Sequence, residues 1–578
     1  MNRKPYRNIP VIAIILVVMF IMVSCQQLYN SSENINNSPG ASRDTQYVLS
    51  GNTSKNSDSV LDMGPVKGGV LRIFSTDPDT LNPIITNNKY VKDFSGFIFE
   101  SLVALDKNQK PVPLLSESWE VSNNGLIWTF HIRDNVYWHD KQKFTAYDVE
   151  YTFDYILKNS IYTTYKDNLQ NVTTFAAVDE KNFRIVLSKP NSFTAELMTF
   201  PILPKHLSDK NSVIMSKEYK PVGTGPFKYL SYKENERILL EANSDWWYSA
   251  DIEDTSEKLP YIDQIYIELY DNSAYAVGAF QTRDVDVNFN ETVDYDKYYG
   301  RYDLTIKKYT GNRFEFVSFN LDNPILSDVK VRQAINYAVN KEKIIGKLLP
   351  EKAVASDFPI VPGSWLNDSN IVAYEPSITK AKKILEEAGW KEENSIFYKW
   401  INWAKRPLKL ELLVNEDNDL RKLIAYEIKE QLAEAGFDIQ VKEMKWEELI
   451  KKVDKKDYDM VIMGCSAPSV PDISFLYSTP YLPDNSSPES LRGRNIAGYS
   501  NPMVDKYIER IYSEHDDERK KALFINMRNI IIEDVPYLVL FFYNDAVLLN
   551  RNMSGNIQPH AWNKFSNIAR WYIPRLYN

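Results

Sequence analysis

The sequence predicts an α/β fold with mixed sheets, and three observations predict it. Apolar stripes at helical spacing alternate with short alternating or wholly apolar runs through the second half of the chain. In the first half an alternating run follows an Asn123-Asn124-Gly125 turn. No short internal repeat divides the 578 residues, which excludes a solenoid.

The chain opens with Arg3, Lys4 and Arg7, followed by the apolar run Val11 to Val23, the small residue Ser24 and then Cys25. Basic, apolar and small residues in that order are those of an export signal. A cysteine at the cut resembles the bacterial lipoprotein signal, in which the sulfur receives a diacylglyceryl group and the cysteine becomes the first mature residue. The competing reading is an uncleaved membrane helix, but the run is shorter than the ~20 residues a span needs. Residues 1–24 are therefore expected to be a lipoprotein signal peptide, with Cys25 lipidated. Residues 25–65, rich in Asn, Ser, Gly and Asp, are expected to be a flexible tether.

Beyond Gly68-Gly69, Val70, Leu71, Ile73 and Phe74 read as a buried strand. Leu126, Trp128, Phe130 and Ile132 form the returning arm of a hairpin within 119–138. Thr145 and Asp148 have capping-box spacing, and Val149, Phe153, Ile156 and Leu157 follow as a helical stripe. Pro221 to Pro226 is a tight turn into a strand at Phe227 and Tyr229. Val331, Ala334, Ile335, Ala338 and Val339 form a helix ending before Pro350. Ile378 to Ala388 forms another, stopped by Gly389, and Leu420, Leu423, Ile424 and Leu432 a third, stopped by Gly436. Phe437, Ile439 and Val441 alternate as a strand. Val504 to Ile532 reads as one helix stopped at Pro536, and Tyr537 to Phe542 as an apolar strand.

Composition narrows the function. Net charge is -9, or -12 once Arg3, Lys4 and Arg7 are removed (-9 minus 3), so no nucleic acid is expected as a partner. The two cysteines are Cys25 and Cys465; with Cys25 acylated, no internal disulfide is possible. The five histidines show neither i,i+4 pairing nor an HExxH pattern, so no metal is expected. Gly223-Thr224-Gly225 lacks a lysine and leads into a strand, which argues against a phosphate site. Ser327 to Lys330 and Ser377 to Lys380 match S-x-x-K, but no K-T-G accompanies them, and helix capping by serine is the better reading. Acidic pairs such as Asp516-Asp517 read as solvated helix faces. No nucleophile, base and orienting group assemble, so neither an enzyme nor a cofactor is expected.

Several motifs recur in a family order. Gly68-Gly69 is followed by Asp77-Pro78 and Leu81-Asn82-Pro83, then by Pro113-Leu114-Leu115 with Glu117-Ser118-Trp119. Trp138-His139-Asp140 with Phe144-Thr145-Ala146 and Asp148-Val149 comes next. Pro221 to Phe227, Phe319-Asn320 with Val331 to Ala334, and Ala381 to Gly389 complete the set. From about Gly68 onward the chain resembles the family 5 extracellular solute-binding proteins, the oligopeptide- and dipeptide-binding lipoproteins of ABC importers.

That resemblance implies a periplasmic-binding-protein-like type II fold, with two lobes, mixed sheets and an extra inserted domain (cluster C). It implies a discontinuous domain I (66–100, 200–311 and 546–578), domain II (101–199) and domain III (312–545). The implied hinge lies near Thr310 to Phe316 and Phe541 to Val547. The implied function is capture of oligopeptides by hinge closure and delivery to ABC permease transmembrane subunits. The protein would be an extracytoplasmic monomer, lipid-anchored to the cell membrane of either envelope type.

The resemblance also assigns ligand contacts. Trp446 falls where the family places a pocket tryptophan; the alternative is a core tryptophan packed on its helix. Gly464, Cys465, Ser466, Ala467 and Pro468, continuing to Asp472, align with the family's pocket loop. Cys465 stands where tryptophan is usual. Pro468 stands where peptide binders place an aspartate on the ligand's α-amino group. Asp472 either substitutes for it or caps the next helix. Tyr162 lies where the family has a domain II tyrosine on the peptide backbone. The departure at Pro468 keeps a second ligand class open: a blocked peptide, an oligosaccharide or a metal chelate. An extracytoplasmic hydrolase or chaperone on the same fold is the third reading.

Overall fold

The computed structural model describes residues 64–158, 161–210, 219–250, 258–289, 295–367, 373–481, 495–550 and 553–574. Cys25, the apolar run before it and the tether up to residue 63 lie outside the described residues.

Strand β1 (Val70–Ser75) follows Gly68-Gly69 as expected. Strands β2 (Ser116–Val121) and β3 (Ile127–Ile132) form the hairpin around Asn123-Asn124-Gly125, and Trp128, Phe130 and Ile132 are buried at every second position. Helix α1 (Ala146–Leu157) starts at Thr145, whose N–H donates to Asp148 Oδ2 at 2.9 Å. Val149, Phe153 and Ile156 are buried, whereas Leu157 is exposed, because one step past Ile156 turns it about 100° around the helix. Strands β4 (Val172–Ala177) and β5 (Asn182–Leu187) complete a sheet in the order β2-β3-β5-β4.

Strands β6 (Phe227–Lys233), β7 (Arg237–Ala242) and β8 (Gln264–Leu269) form a second sheet with β1, in the order β1-β8-β7-β6. The turn before β6 needs glycine: a Cβ on Gly223 would lie 1.8 Å from the Ile98 carbonyl oxygen.

Strand β9 (Leu304–Phe319) leads to α2 (Val329–Ala338) and α3 (Lys341–Leu348). The 331–339 stripe stops at Asn340, whose side chain accepts from Lys343 N and starts the next helix. Asp328, not Ser327, caps α2, because its carboxylate accepts from Lys330 N at 3.0 Å. Helix α4 (Ile378–Glu387) is capped by Ser377, whose Oγ accepts from Lys380 N at 3.2 Å, and stops before Gly389 at φ +85°. A hairpin not expected from the sequence follows, β10 (Ile396–Ile401) and β11 (Ala404–Pro407), with Lys391–Glu393 on its edge.

Next come β12 (Lys409–Asn415), α5 (Asp419–Glu434), β13 (Asp438–Met444), α6 (Trp446–Asp454) and β14 (Met460–Ser466). Leu423, expected in the α5 stripe, is exposed. The single helix expected over 504–532 is two, α7 (Pro502–Ser513) and α8 (Asp517–Asp534). Asp516 breaks it by accepting from Arg519 N, so this exposed residue is also a cap; Asp517, itself half-exposed, pairs with Lys110 at 3.0 Å. Strand β15 (Tyr537–Asn550) joins the largest sheet, whose long strands run in the order β15-β9-β14-β12-β13, with the short strands Val287–Asn288 and Ala353–Ala355 also paired to β15. Within it β12 is parallel to β13 and β14, while β9 is antiparallel to β14 and β15.

Residues Leu61–Asn578 form one compact unit. Its main apolar cores divide along the chain. The first gathers residues from Leu71 to Tyr298 together with Ala546 to Trp571. The second and third draw on Phe314 to Phe542, joined from the earlier segment by buried Phe193 and partly buried Leu197. The changeover falls inside β9 and β15: Ile306, Tyr309 and Ala546 to Leu549 pack on the first core, Phe314, Val317 and Leu538 to Phe542 on the others. The β9–β15 ladder breaks register between Thr310 and Phe314, at the same place. No described helix is long and apolar enough to cross a membrane.

Candidate functional site

Three parallel strands of the large sheet deliver their carboxyl ends to one edge. Asn415 ends β12 opposite Met444 of β13, and β14 runs on to Ser466. Loops beyond such ends are where open α/β sheets carry ligands. Two residues past β13, Trp446 begins α6, is 38% exposed and belongs to none of the apolar cores. Trp446 is thus partly exposed near this edge and outside the apolar cores of the described residues.

The loop after β14 is tied down by backbone chemistry. Phe314 and Glu315 of β9 register with Cys465 and Gly464. Ala467 N donates to the Asn312 carbonyl at 2.7 Å, and Asn312 Nδ2 returns a bond to the Ala467 carbonyl at 3.0 Å. The loop is thus joined directly to the β9 bulge. Cys465 is half-buried, with its thiol 3.5 Å from the Ser466 carbonyl oxygen. Ser466 and Pro468 are exposed, whereas Ala467 is buried.

Asp472 resolves as a local organiser. Its Oδ1 accepts from Ser474 N at 2.8 Å, and its Oδ2 accepts from Ser474 Oγ at 3.0 Å and from Tyr512 OH at 2.5 Å. Burial, and next the charge of Asp472, hold the Tyr512 phenol well above its ordinary pKa, so this proton stays in the hydrogen bond.

Gly464 lies over a buried ion pair. Arg421, near the start of α5, bonds Glu315 twice, at 2.9 and 3.1 Å, and Tyr543 OH donates to the same carboxylate at 3.2 Å. Burial pushes the Glu315 carboxyl above its usual range, while Arg421 works against that rise. Beside it Arg313 pairs with Asp545 at 2.7 Å, and its guanidinium lies 5.1 Å from the Tyr543 ring centroid. Sequence reasoning missed this cluster: Glu315 and Arg421 are 106 residues apart.

It also missed Gln109. From the earlier segment, Gln109 Nε2 donates to the carbonyls of Pro468 and Ser469, at 2.9 and 3.0 Å. Lys520 of α8 similarly donates to the Ser192 carbonyl at 3.1 Å. The structure thus brings Gly464 to Asp472 together with Gln109, Asn312, Glu315 and Arg421. Tyr162 is 83% exposed, just before the turn 164–169, and makes no hydrogen bond among the described residues. Among the described residues, no group of three or more His, Cys, Asp or Glu could hold a metal.

The family model described as "Bacterial extracellular solute-binding proteins, family 5 Middle" matches residues 110–487, about two thirds of the chain. The chain belongs to this family. Family membership and the mixed sheets agree on the architecture: a type II periplasmic-binding-protein α/β fold with two lobes and an extra inserted domain. The oligopeptide-binding protein AppA of Bacillus subtilis is 26% identical over 545 residues, covering 91% of this chain and 96% of its own. Its structure in complex with a nonapeptide has a TM-score of 0.59 at 24% identity, covering 88% of this chain and all of the other. NikZ of Campylobacter jejuni, in complex with Ni(L-His), has a TM-score of 0.62 at 22% identity, covering 87% and 99%.

Proposed function

We propose that this protein is the substrate-binding component of an ABC importer, anchored to the cell membrane through Cys25, which closes its lobes on an oligopeptide and passes it unchanged to the permease. The observation that carries the reading is the pair of strands β9 and β15. Both leave one apolar core and enter another at a register break, and the candidate loop is bonded to that break through Asn312 and Ala467. Two strands crossing between separate cores suit a hinge, and a loop attached to the hinge senses closure. This arrangement supports a boundary of domain III (312–545) at the two crossings; the division of the remainder into domain I (66–100, 200–311 and 546–578) and domain II (101–199) rests on the family resemblance.

Peptide as the guest is supported by the oligopeptide-binding relative. Trp446 then supplies an apolar face with a donor, and the exposed Ser466 offers polar groups to the guest's amides, the Ala467 and Pro468 backbone being engaged by Asn312 and Gln109. Delivery as a monomer outside the cytoplasm follows from the same reading.

A second ligand class is favoured by the loop itself. Pro468 offers no charge, and Asp472 is engaged by Ser474 and Tyr512. A buried ammonium needs an anionic partner, so this loop suits a guest without a free α-amine. Calorimetry with a mixed peptide pool and its N-acetylated counterpart separates the two. Equal affinity removes the free-amine requirement; loss on acetylation restores it. Turnover of a labelled peptide would overturn both and restore the hydrolase reading. Cys25→Ala is expected to move the protein out of the membrane fraction, and retention there would overturn the lipid anchor.

A further inference from the structure

The hairpin β10–β11 is a short finger lying along the second core, with tryptophans at its turn. One face is held: Phe397 is buried in that core, its N–H donates to the Gly436 carbonyl at 3.0 Å, and Ile401, beside the turn, packs on the same core. Its tip is a two-residue turn, Asn402-Trp403, between the paired residues Ile401 and Ala404. Both turn residues have positive φ, +50° and +65°.

A turn of this kind prefers Asn followed by Gly, because a side chain at positive φ presses on the following carbonyl. Here the second place holds the bulkiest residue available, and its side chain gains nothing from the fold, being 98% exposed. Trp400, three residues back, is 70% exposed and stands opposite Lys405. Backbone strain kept for a side chain that touches nothing points to something outside the chain.

We propose that this finger dips into the interfacial layer of an anionic lipid membrane. Indole, with an apolar body and an N–H donor, suits the headgroup boundary. The charge agrees. Residues 396–407 hold Lys399, Lys405 and Arg406 and no acidic residue, in a chain of net charge -9. Lys399 and Lys405 are partly neutralised by Asp328 and Glu393, at 3.2 and 2.5 Å, and Arg406 is exposed. A protein partner is the weaker fit. A tryptophan hot spot needs a surrounding rim and about 800 Å² on each side, and the tip stands out as a two-residue turn. Membrane insertion needs no rim.

The test uses residues 61–578, which hold all the described core residues and lack the N-terminal apolar run. Guest binding is measured separately by calorimetry, so failure here leaves the transport reading untouched. Vesicles of phosphatidylcholine with a brominated acyl chain, about a third of it replaced by phosphatidylglycerol, are added to the protein. Trp400 and Trp403 are two of twelve tryptophans, so quenching of up to about a sixth of the emission is expected. It should weaken with salt and with vesicles lacking phosphatidylglycerol. The Trp400→Ser, Trp403→Gly double variant should lose the quenching while melting no lower, since glycine accepts the turn geometry.

Equal quenching in the double variant, or none in the wild type, would overturn the proposal. So would lipid-independent self-association that the double variant abolishes, which would assign the tip to a second copy.

Discussion

Replacing Gln109 by Asn tests whether the two lobes are held together through the loop. Asparagine tolerates the positive φ of this position, +69°, and keeps the amide. It is one methylene shorter, so bonds of 2.9 and 3.0 Å to Pro468 and Ser469 move out of range. Two neutral hydrogen bonds contribute about 1 kcal/mol each, but Gln109 Oε1 is buried without a partner among the described residues, which offsets part of the gain. The net bias against the arrangement in which Gln109 reaches the loop is then about 1 to 2 kcal/mol. If a guest binds only that arrangement, its apparent affinity falls by roughly five- to thirtyfold, without any contact between Gln109 and the guest. Calorimetry reads the affinity, and small-angle scattering of the unliganded protein reads the expansion. Unchanged affinity together with a lower melting temperature would refute the reasoning, because the contact would then belong to the fold in every state.

Trp446→Ala should weaken guest binding by about tenfold while changing stability by no more than about 0.5 kcal/mol, since the side chain packs in no core; a melting shift with intact binding would return it to a structural role. Gly464→Ala would place a methyl 2.3 Å from Arg421 Nη2 and 2.6 Å from Glu315 Oε1, forcing a buried ion pair apart, and should cost about 3 kcal/mol in denaturant unfolding; a loss near zero would mean that both side chains slide aside. Burial raises the Glu100 carboxyl from 4.5 to about 7, against the two indole N–H groups of Trp246 and Trp247 that bond it at 3.1 and 2.8 Å. An acid raised in the folded state favours folding fully below pH 4.5, and that contribution is lost as pH climbs to about 7, about 3 kcal/mol in all. Glu100→Gln should flatten the stability profile across that window, and an unchanged slope would place the titration elsewhere.

Much of the fold was legible because its signals are local. Gly389 and Gly436 end helices at positive φ, Thr145 and Asp148 close a capping box, and Trp128, Phe130 and Ile132 alternate as a strand must. Errors came where a polar cap interrupted a continuing stripe. Asn340 and Asp516 each restart a helix by accepting one backbone N–H, and periodicity alone runs straight through them. The β10–β11 hairpin was missed because its outward tryptophans and lysines blur the inside–outside pattern.

The site was less legible. The 464–472 loop could be picked out only through family resemblance, and the fate of Asp472 depended on Tyr512, forty residues on. Gln109 reaches its loop across 359 residues, a separation at which no sequence pattern carries a signal.

Among the described residues, Phe193 leaves its own segment to sit fully buried in the third core, with Leu197 and Trp562 packed against that core from outside as well. Its ring meets Tyr512 edge-on at 5.7 Å, with the Lys520 ammonium 5.1 Å from its centroid. Any parting of the halves must draw this ring into water, baring on the order of 150–200 Å² of greasy surface on the plug and as much again on its socket. On the proposed hinge motion, the guest-free form should therefore be the stickier one, prone to clump without guest and to stay dispersed with it.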